Sequence, residues 1–482
     1  MAKTVSPGVQ ALRKVVEDVY ADARKAKAEG KLVGWSSSKF PCELAEAFDL
    51  NVMYPENQAA GIAANRDGEI MCKAAEDLGY DNDICGYARI SLAYAAGKRA
   101  SRKVDLETGE YVINPNSGKP LKDENGNVVI DPETGKPKKD PKTMQPYTVL
   151  DDIYEIEALP EGREKELRKA AIKPYRQMQM PQPDFMLCCN NICNCMTKWY
   201  ENIARMRNIP LIMIDIPYNN TVDVHDTNVA YVRAQFDSAI KQLEELTGKK
   251  FDEKKFEQAC ANANRTAQAW LRVCDYLQYK PSPYSGFDLF NHMADVVTAR
   301  GKVEAAEAFE LLEKDLEEAV KNGTSTTPFP EKYRVMFEGI PCWPKLPNLF
   351  KPLKEHGVNV TAVVYAPAFG FVYNNMDEMV RAYYKAPNSV CIEQGVDWRE
   401  GICRDNKVDG VLVHYNRSCK PWSGYMAEMQ RRFTKDLGVP CAGFDGDQAD
   451  PRNFNEAQYE TRVQGLVEAM EANQAKKEAE AK

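Results

Sequence analysis

From residue 330 onward the chain alternates short apolar runs with helical stretches, and this alternation limits the fold more than any other feature. The runs 335–337, 361–365, 389–392, 411–414 and 439–443 each predict a strand. Apolar runs joined by helical crossovers predict a parallel sheet covered on both faces. A second set lies upstream at 32–35, 52–54, 185–189 and 211–214, with a helical pattern over 196–207 between the last two. The chain is therefore expected to be α/β, with two parallel-sheet domains. Residues 1–30 form an N-terminal helical segment and 31–226 the first α/β domain. Residues 227–330 are almost wholly helical in pattern and join it to a second α/β domain over 331–472, with 473–482 as a frayed tail.

Several local signals refine this outline. Pro41 is expected to open a helix through Ala47, whereas Pro55-Glu56-Asn57 is expected to be the exit loop of a short strand. Asp252 and Asp288 are the candidate helix caps in the connector, and Gly301 marks a break. Residues 102–147 differ from the rest in their Gly, Pro, Asp and Lys content. The run 113–120 is echoed by 130–137, both turn sequences between short strands. This segment reads as a surface insertion on the first domain, with partner contact as its alternative use.

Length and charge exclude whole classes. At about 150 residues per domain, 482 residues suggest two to four domains. A net charge of −8 gives no basis for binding nucleic acid. No apolar run reaches the length of a spanning helix, and residues 1–10 do not read as a secretory signal, so a cytoplasmic protein without a membrane role is expected.

Fourteen cysteines and only four histidines then shift attention to thiolate chemistry. Cys260 and Cys274 fall in Ala- and Leu-rich helical patterns and read as small core residues. Three other groups do not. Cys85 precedes an Ala-rich helix. Cys188, Cys189, Cys193 and Cys195 follow a strand and precede a helix, and Cys419 follows another strand. Ligands of open α/β sheets bind outside the carboxyl ends of the strands, and helix N-termini there lower thiol pKa values. Cys85, one of the 188–195 set and Cys419 can thus converge on one crevice between two sheets. These spacings suit a [4Fe–4S] cluster with one iron left open, and equally a thiol-rich buried turn. Cys193-Asn194-Cys195 is too tight for a zinc knuckle, and Cys188-Cys189 too tight for two ligands of one metal. No Walker A motif and no Gly-x-Gly-x-x-Gly fingerprint occur, so ATP hydrolysis is not expected of this chain. His414, on a strand, reads more readily as a core histidine than as a base.

The run Gly34-Trp-Ser-Ser-Ser-Lys-Phe-Pro-Cys-Glu-Leu44 resembles the opening of the 2-hydroxyacyl-CoA dehydratase and benzoyl-CoA reductase superfamily. So do the Cys85 segment, the turn leading into Lys198-Trp199-Tyr200-Glu201, Ile214-Asp-Ile-Pro217, Val408-Asp-Gly-Val411 and the Thr461-Arg462 helix. The resemblance spans nearly the whole chain. It is strongest to α subunits acting on (R)-2-hydroxyglutaryl-CoA, through the runs 189–201 and 413–422.

That resemblance implies two flavodoxin-like domains and a heterodimer with a related β subunit. It implies a [4Fe–4S] cluster on three cysteines and a separate ATP-dependent iron–sulfur activator that delivers one electron. The acyl-CoA substrate would then lose its 2-hydroxyl by way of a ketyl radical anion, as in the fermentation of glutamate by anaerobes. Some members also carry a reduced flavin, FMN or riboflavin, for which the sequence offers no handle. By the same resemblance Cys85 and Cys419 are cluster ligands. The middle ligand is Cys193, chosen by its distance from the Lys198-Trp199 helix start, with Cys195 and Cys189 behind it. Ser37 matches a hydrogen-bond donor and Glu56 a proton-transfer carboxylate, against the plainer readings of a helix N-cap and a solvated loop residue. The alternatives are a dehydratase for a lactyl or aryllactyl thioester, or a non-catalytic cluster carrier.

Overall fold

The computed structural model describes residues 5–387 and 389–480. Its ten strands are β1 (Val33–Ser36), β2 (Asn51–Met53), β3 (Lys98–Arg102), β4 (Thr148–Asp152), β5 (Phe185–Cys189), β6 (Leu211–Ile214), β7 (Tyr333–Glu338), β8 (Val358–Val363), β9 (Gly410–Asn416) and β10 (Cys441–Gly446). Two four-stranded sheets carry the molecule, β2-β1-β5-β6 and β10-β9-β7-β8, and every pair within them is parallel. The first, numbered along its own half, reads 2-1-3-4. That is the flavodoxin-like order, whose ligand crevice lies where the winding reverses, between the first and third strands. The second, read from its other edge, is 2-1-3-4 in the same way. The protein thus has two flavodoxin-like parallel-sheet domains.

Four strands show why alternation is weak in the sequence. Every residue of β1, β5, β7 and β8 is buried, because helices cover both faces. The helix Pro7–Ala28 packs on the helix Val303–Lys321, and Gly8 N–H donates to Asp315 Oδ2 at 2.6 Å. The connecting helices are Asp226–Thr247, Glu253–Asp275, Gly286–Thr298 and Val303–Lys321. Asp252 caps the second, accepting from Lys255 N–H at 3.1 Å. Asp288 does not cap the third: Ser285 does, and Asp288 returns the bond to Ser285 N–H at 3.1 Å. Both residue types favour a cap, so sequence alone left the choice three residues off.

Three other expectations change. Residues 389–392 do not form a strand. Val390 makes one isolated bridge to Asn219, and Ile392 opens the helix Ile392–Asp405. Four residues carry too little periodicity to separate a strand from a helix start. Glu56 is not in a loop but in the first turn of the helix Pro55–Ala64. Proline suits that position because its missing N–H would have had no helical partner. The described part of the C-terminal run expected to fray continues the helix Glu456–Glu480, which is buried only as far as Met470; residues 481–482 lie outside the described residues.

The segment 102–147 extends the antiparallel β3–β4 pair as a string of isolated bridges, among them Ile113 to Pro146 and Ile130 to Pro137. Its glycines Gly118, Gly126 and Gly135 turn the chain at positive φ.

Candidate functional site

The carboxyl ends of the two sheets face each other. β1 runs into Ser37, Ser38 and Lys39, and β5 into the cysteine-rich turn; β7 runs into Ile340 and β9 into Cys419. These are the central strands of the two sheets. Between them lies a largely apolar cavity of about 70 Å³ whose wall includes Cys85, Cys193, Cys195 and Cys419.

Cys85 reaches the cavity from the N-terminal boundary of the helix Gly86–Ala95, and two contacts from the other half fix it there. Gly86 N–H donates to Ser418 Oγ at 3.0 Å, and Gln448 Nε2 donates to the Cys85 sulfur at 3.2 Å. Gly86 is needed for this approach, since a Cβ would stand 2.7 Å from Asp447 Oδ1. Cys195 is the first residue of the helix Cys195–Arg207, and Cys193 lies just before it. The thiols sense one another. Cys195 alongside, with burial behind it, holds the Cys85 thiol well above its ordinary value. Burial, then Cys419 and Cys85, raise Cys193; burial and then Cys85 push Cys419 up to about 12. The expected lowering by helix N-termini is outweighed by desolvation.

Cys188 and Cys189 lie fully buried in separate hydrophobic cores and line no part of this cavity. Of the four cysteines at 188–195, Cys193 and Cys195 are the two that line it. Among the described residues no three His, Cys, Asp or Glu side chains converge closely enough to hold a single metal ion.

A second cavity of about 530 Å³ opens toward solvent and shares Ser38, Glu56, Tyr365 and Phe369 with the first. Glu56 sits at this throat. Its Oε1 accepts from Ser38 N–H at 2.8 Å and its Oε2 from the Tyr200 hydroxyl at 2.9 Å. Burial raises its pKa, with the Ser38 and Tyr200 bonds acting against it. Ser37 stands one residue behind the wall, where its Oγ accepts from Cys189 N–H at 3.0 Å, and it is not a helix cap. His414 is a core histidine: Ile340 O lies 2.6 Å from Nδ1, the ring stacks on Phe444, and burial lowers its pKa to about 4.

The sequence reading missed Ser38, Lys39, Tyr200, Tyr365 and Gln448. For Lys39 a signal existed, since a lysine between a buried strand and an apolar helix start has no ordinary reason to be there. Gln448 gave none, because its role depends on the docking of the two halves.

The chain is 76% identical over 477 residues to the α subunit of (R)-2-hydroxyglutaryl-CoA dehydratase of Acidaminococcus fermentans, covering 99% of this chain and 100% of that one. It is 45% identical to the (R)-phenyllactyl-CoA dehydratase α subunit of Clostridium sporogenes, over 97% of this chain and 96% of that one. It is 34% identical to the lactoyl-CoA dehydratase α subunit of Anaerotignum propionicum, over 94% of each chain. The profile of the 2-hydroxyglutaryl-CoA dehydratase D-component matches residues 165–470. The chain therefore belongs to the 2-hydroxyglutaryl-CoA dehydratase D-component family.

Proposed function

We propose that this chain is the α subunit of a 2-hydroxyacyl-CoA dehydratase, a hydro-lyase that converts (R)-2-hydroxyglutaryl-CoA to glutaconyl-CoA. The observation that carries the substrate is the 76% identity, over 99% of this chain, to a protein of that name. A related β subunit is its partner, and an ATP-dependent activator supplies the electron, because this chain has no phosphate loop of its own.

The cavity residues fit a [4Fe–4S] cluster on Cys85, Cys419 and one of Cys193 and Cys195. Supporting this are an all-thiol donor set from three separate segments and an apolar wall. A cubane takes each thiolate on a different iron, so its ligands stand farther apart than those of one ion. When bound, such a cluster supplies a single electron and a Lewis-acidic iron.

The protein's own groups do the rest. The throat shared by the two cavities admits a thioester from the larger one and shields its reacting carbons from water. Glu56, aimed by Ser38 N–H and Tyr200, takes the carbon-3 proton; a carboxylate raised by burial is a better base near neutral pH than an exposed one. Ser37 positions the β5 turn through the Cys189 N–H.

The test is anaerobic turnover by the chain, its partner chain, the activator and ATP across a panel of 2-hydroxyacyl-CoA esters. Preference for (R)-2-hydroxyglutaryl-CoA is expected; faster turnover of a lactyl or aryllactyl ester would reassign the substrate.

A further inference from the structure

Lys39 is a buried amine whose hydrogen-bonding capacity the protein leaves mostly unused. The residue is 3% exposed and lines the thiol cavity. Its Nζ donates to one acceptor, Ala368 O at 2.7 Å, although an ammonium has three protons to give. Among the described residues it forms no ion pair with a carboxylate. Phe369 and Phe371 offer their ring faces at 4.8 and 5.0 Å, which offsets part of the desolvation. Arg300 worsens the imbalance: its guanidinium lies 5.0 Å from the same Phe371 ring. Burial, and then Arg300, push the Lys39 pKa down to about 7. A buried ammonium without a counter-ion gives up its proton more readily, and an anion placed beside it would restore the charge and offset the cost of burial.

The two cavities locate that anion. Ser38, Glu56, Tyr365 and Phe369 line both and form the throat. Lys39 lines only the inner one. A thioester entering from the larger cavity places its reacting carbons at the throat, beside Glu56. The part that reaches Lys39 is then the end of the acyl chain farthest from the sulfur. Among the described residues Glu56 forms no ion pair with Lys39; its oxygens accept from Ser38 N–H and the Tyr200 hydroxyl.

We propose that Lys39 is the specificity-determining residue for the acyl group, its ammonium pairing with the distal carboxylate of a dicarboxylic acyl thioester. This rests on the dehydratase reading above and names which residue selects a charged acyl chain over an uncharged one. Lys39 neither moves a proton nor contacts the reacting carbons in this role; it binds.

The experiment uses unreactive analogues, so that binding is read apart from turnover. Affinities of glutaryl-CoA and pentanoyl-CoA are measured by calorimetry on the complex of this chain with its partner chain, wild type and Lys39→Met, with iron content as a control. The wild type should favour glutaryl-CoA by about 10- to 100-fold, the worth of one charge-assisted hydrogen bond. Lys39→Met should bring the two affinities within a few-fold of each other by weakening glutaryl-CoA alone. Equal binding of both by the wild type overturns the proposal without any variant. Equal weakening of both by Lys39→Met, or loss of iron, also overturns it and makes Lys39 a support of the thiol site. Failure of the dehydratase reading would look different: no 2-hydroxyacyl-CoA ester would be turned over by the wild-type complex supplied with the activator and ATP.

Discussion

The Tyr200 hydroxyl donates to Glu56 Oε2 at 2.9 Å and so ties the helix after β5 to the helix after β2 at the mouth of the thiol cavity. This bond favours the carboxylate, while burial favours the acid. Tyr200→Phe removes the first effect and leaves the second. The Glu56 pKa should rise further, and because the base must be ionised, the acid limb of kcat/KM against pH should move to higher pH. A limb that stays put or moves down would remove Glu56 from the proton transfer.

Glu56→Gln keeps the side-chain shape and one oxygen acceptor but cannot take a proton. Turnover should fall by about 10²-fold or more, the range usual for a general base. Iron content and assembly with the partner chain should be unchanged. Normal turnover would place the base elsewhere.

The thiols separate by a simple iron assay. Cys85→Ala and Cys419→Ala should lose the labile iron and sulfide of the purified protein, while Cys260→Ala, on the connecting helix Glu253–Asp275, should keep both. Cys193→Ala and Cys195→Ala divide the remaining choice, and the one that keeps its iron is not the ligand. Retention by both would mean that the cysteine-rich turn does not hold the cluster.

A structural prediction concerns the floor beneath Cys419. Glu338, at the end of β7, accepts from Arg399 Nε at 2.9 Å and from Trp422 Nε1 at 3.0 Å, and the Arg399–Glu338 pair is wholly buried. Arg399→Met leaves that carboxylate without its cation. The cost should be about 3–5 kcal/mol, seen as a marked drop in Tm. An unchanged Tm would mean that the carboxylate is not left buried without a partner.

The strands and their parallel order were legible because buried β-branched runs and helical crossovers leave a pattern that survives in one sequence. The crevice was legible too, since Cys85, the 188–195 turn and Cys419 all fall where strands end or helices begin. What did not show was direction. Ser37 and Ser38 are identical in type, and only the twist of the chain after β1 decides that one faces Cys189 N–H and the other the cavity. The 389–392 run failed for another reason: Ser389 O and Val390 O accept from Asn219 N–H and the Tyr218 hydroxyl of the first half, and Ile392 already opens a helix. Lys39 was half legible: its place between a buried strand and an apolar helix start is a signal, but the absence of a carboxylate partner is something no spacing records.

The thiol wall is divided between the two halves, with Cys85, Cys193 and Cys195 on one and Cys419 on the other. A group held by thiols of both halves would act as a rivet: its affinity and the docking of the halves would be linked, so that whatever pries the halves apart would also loosen the group.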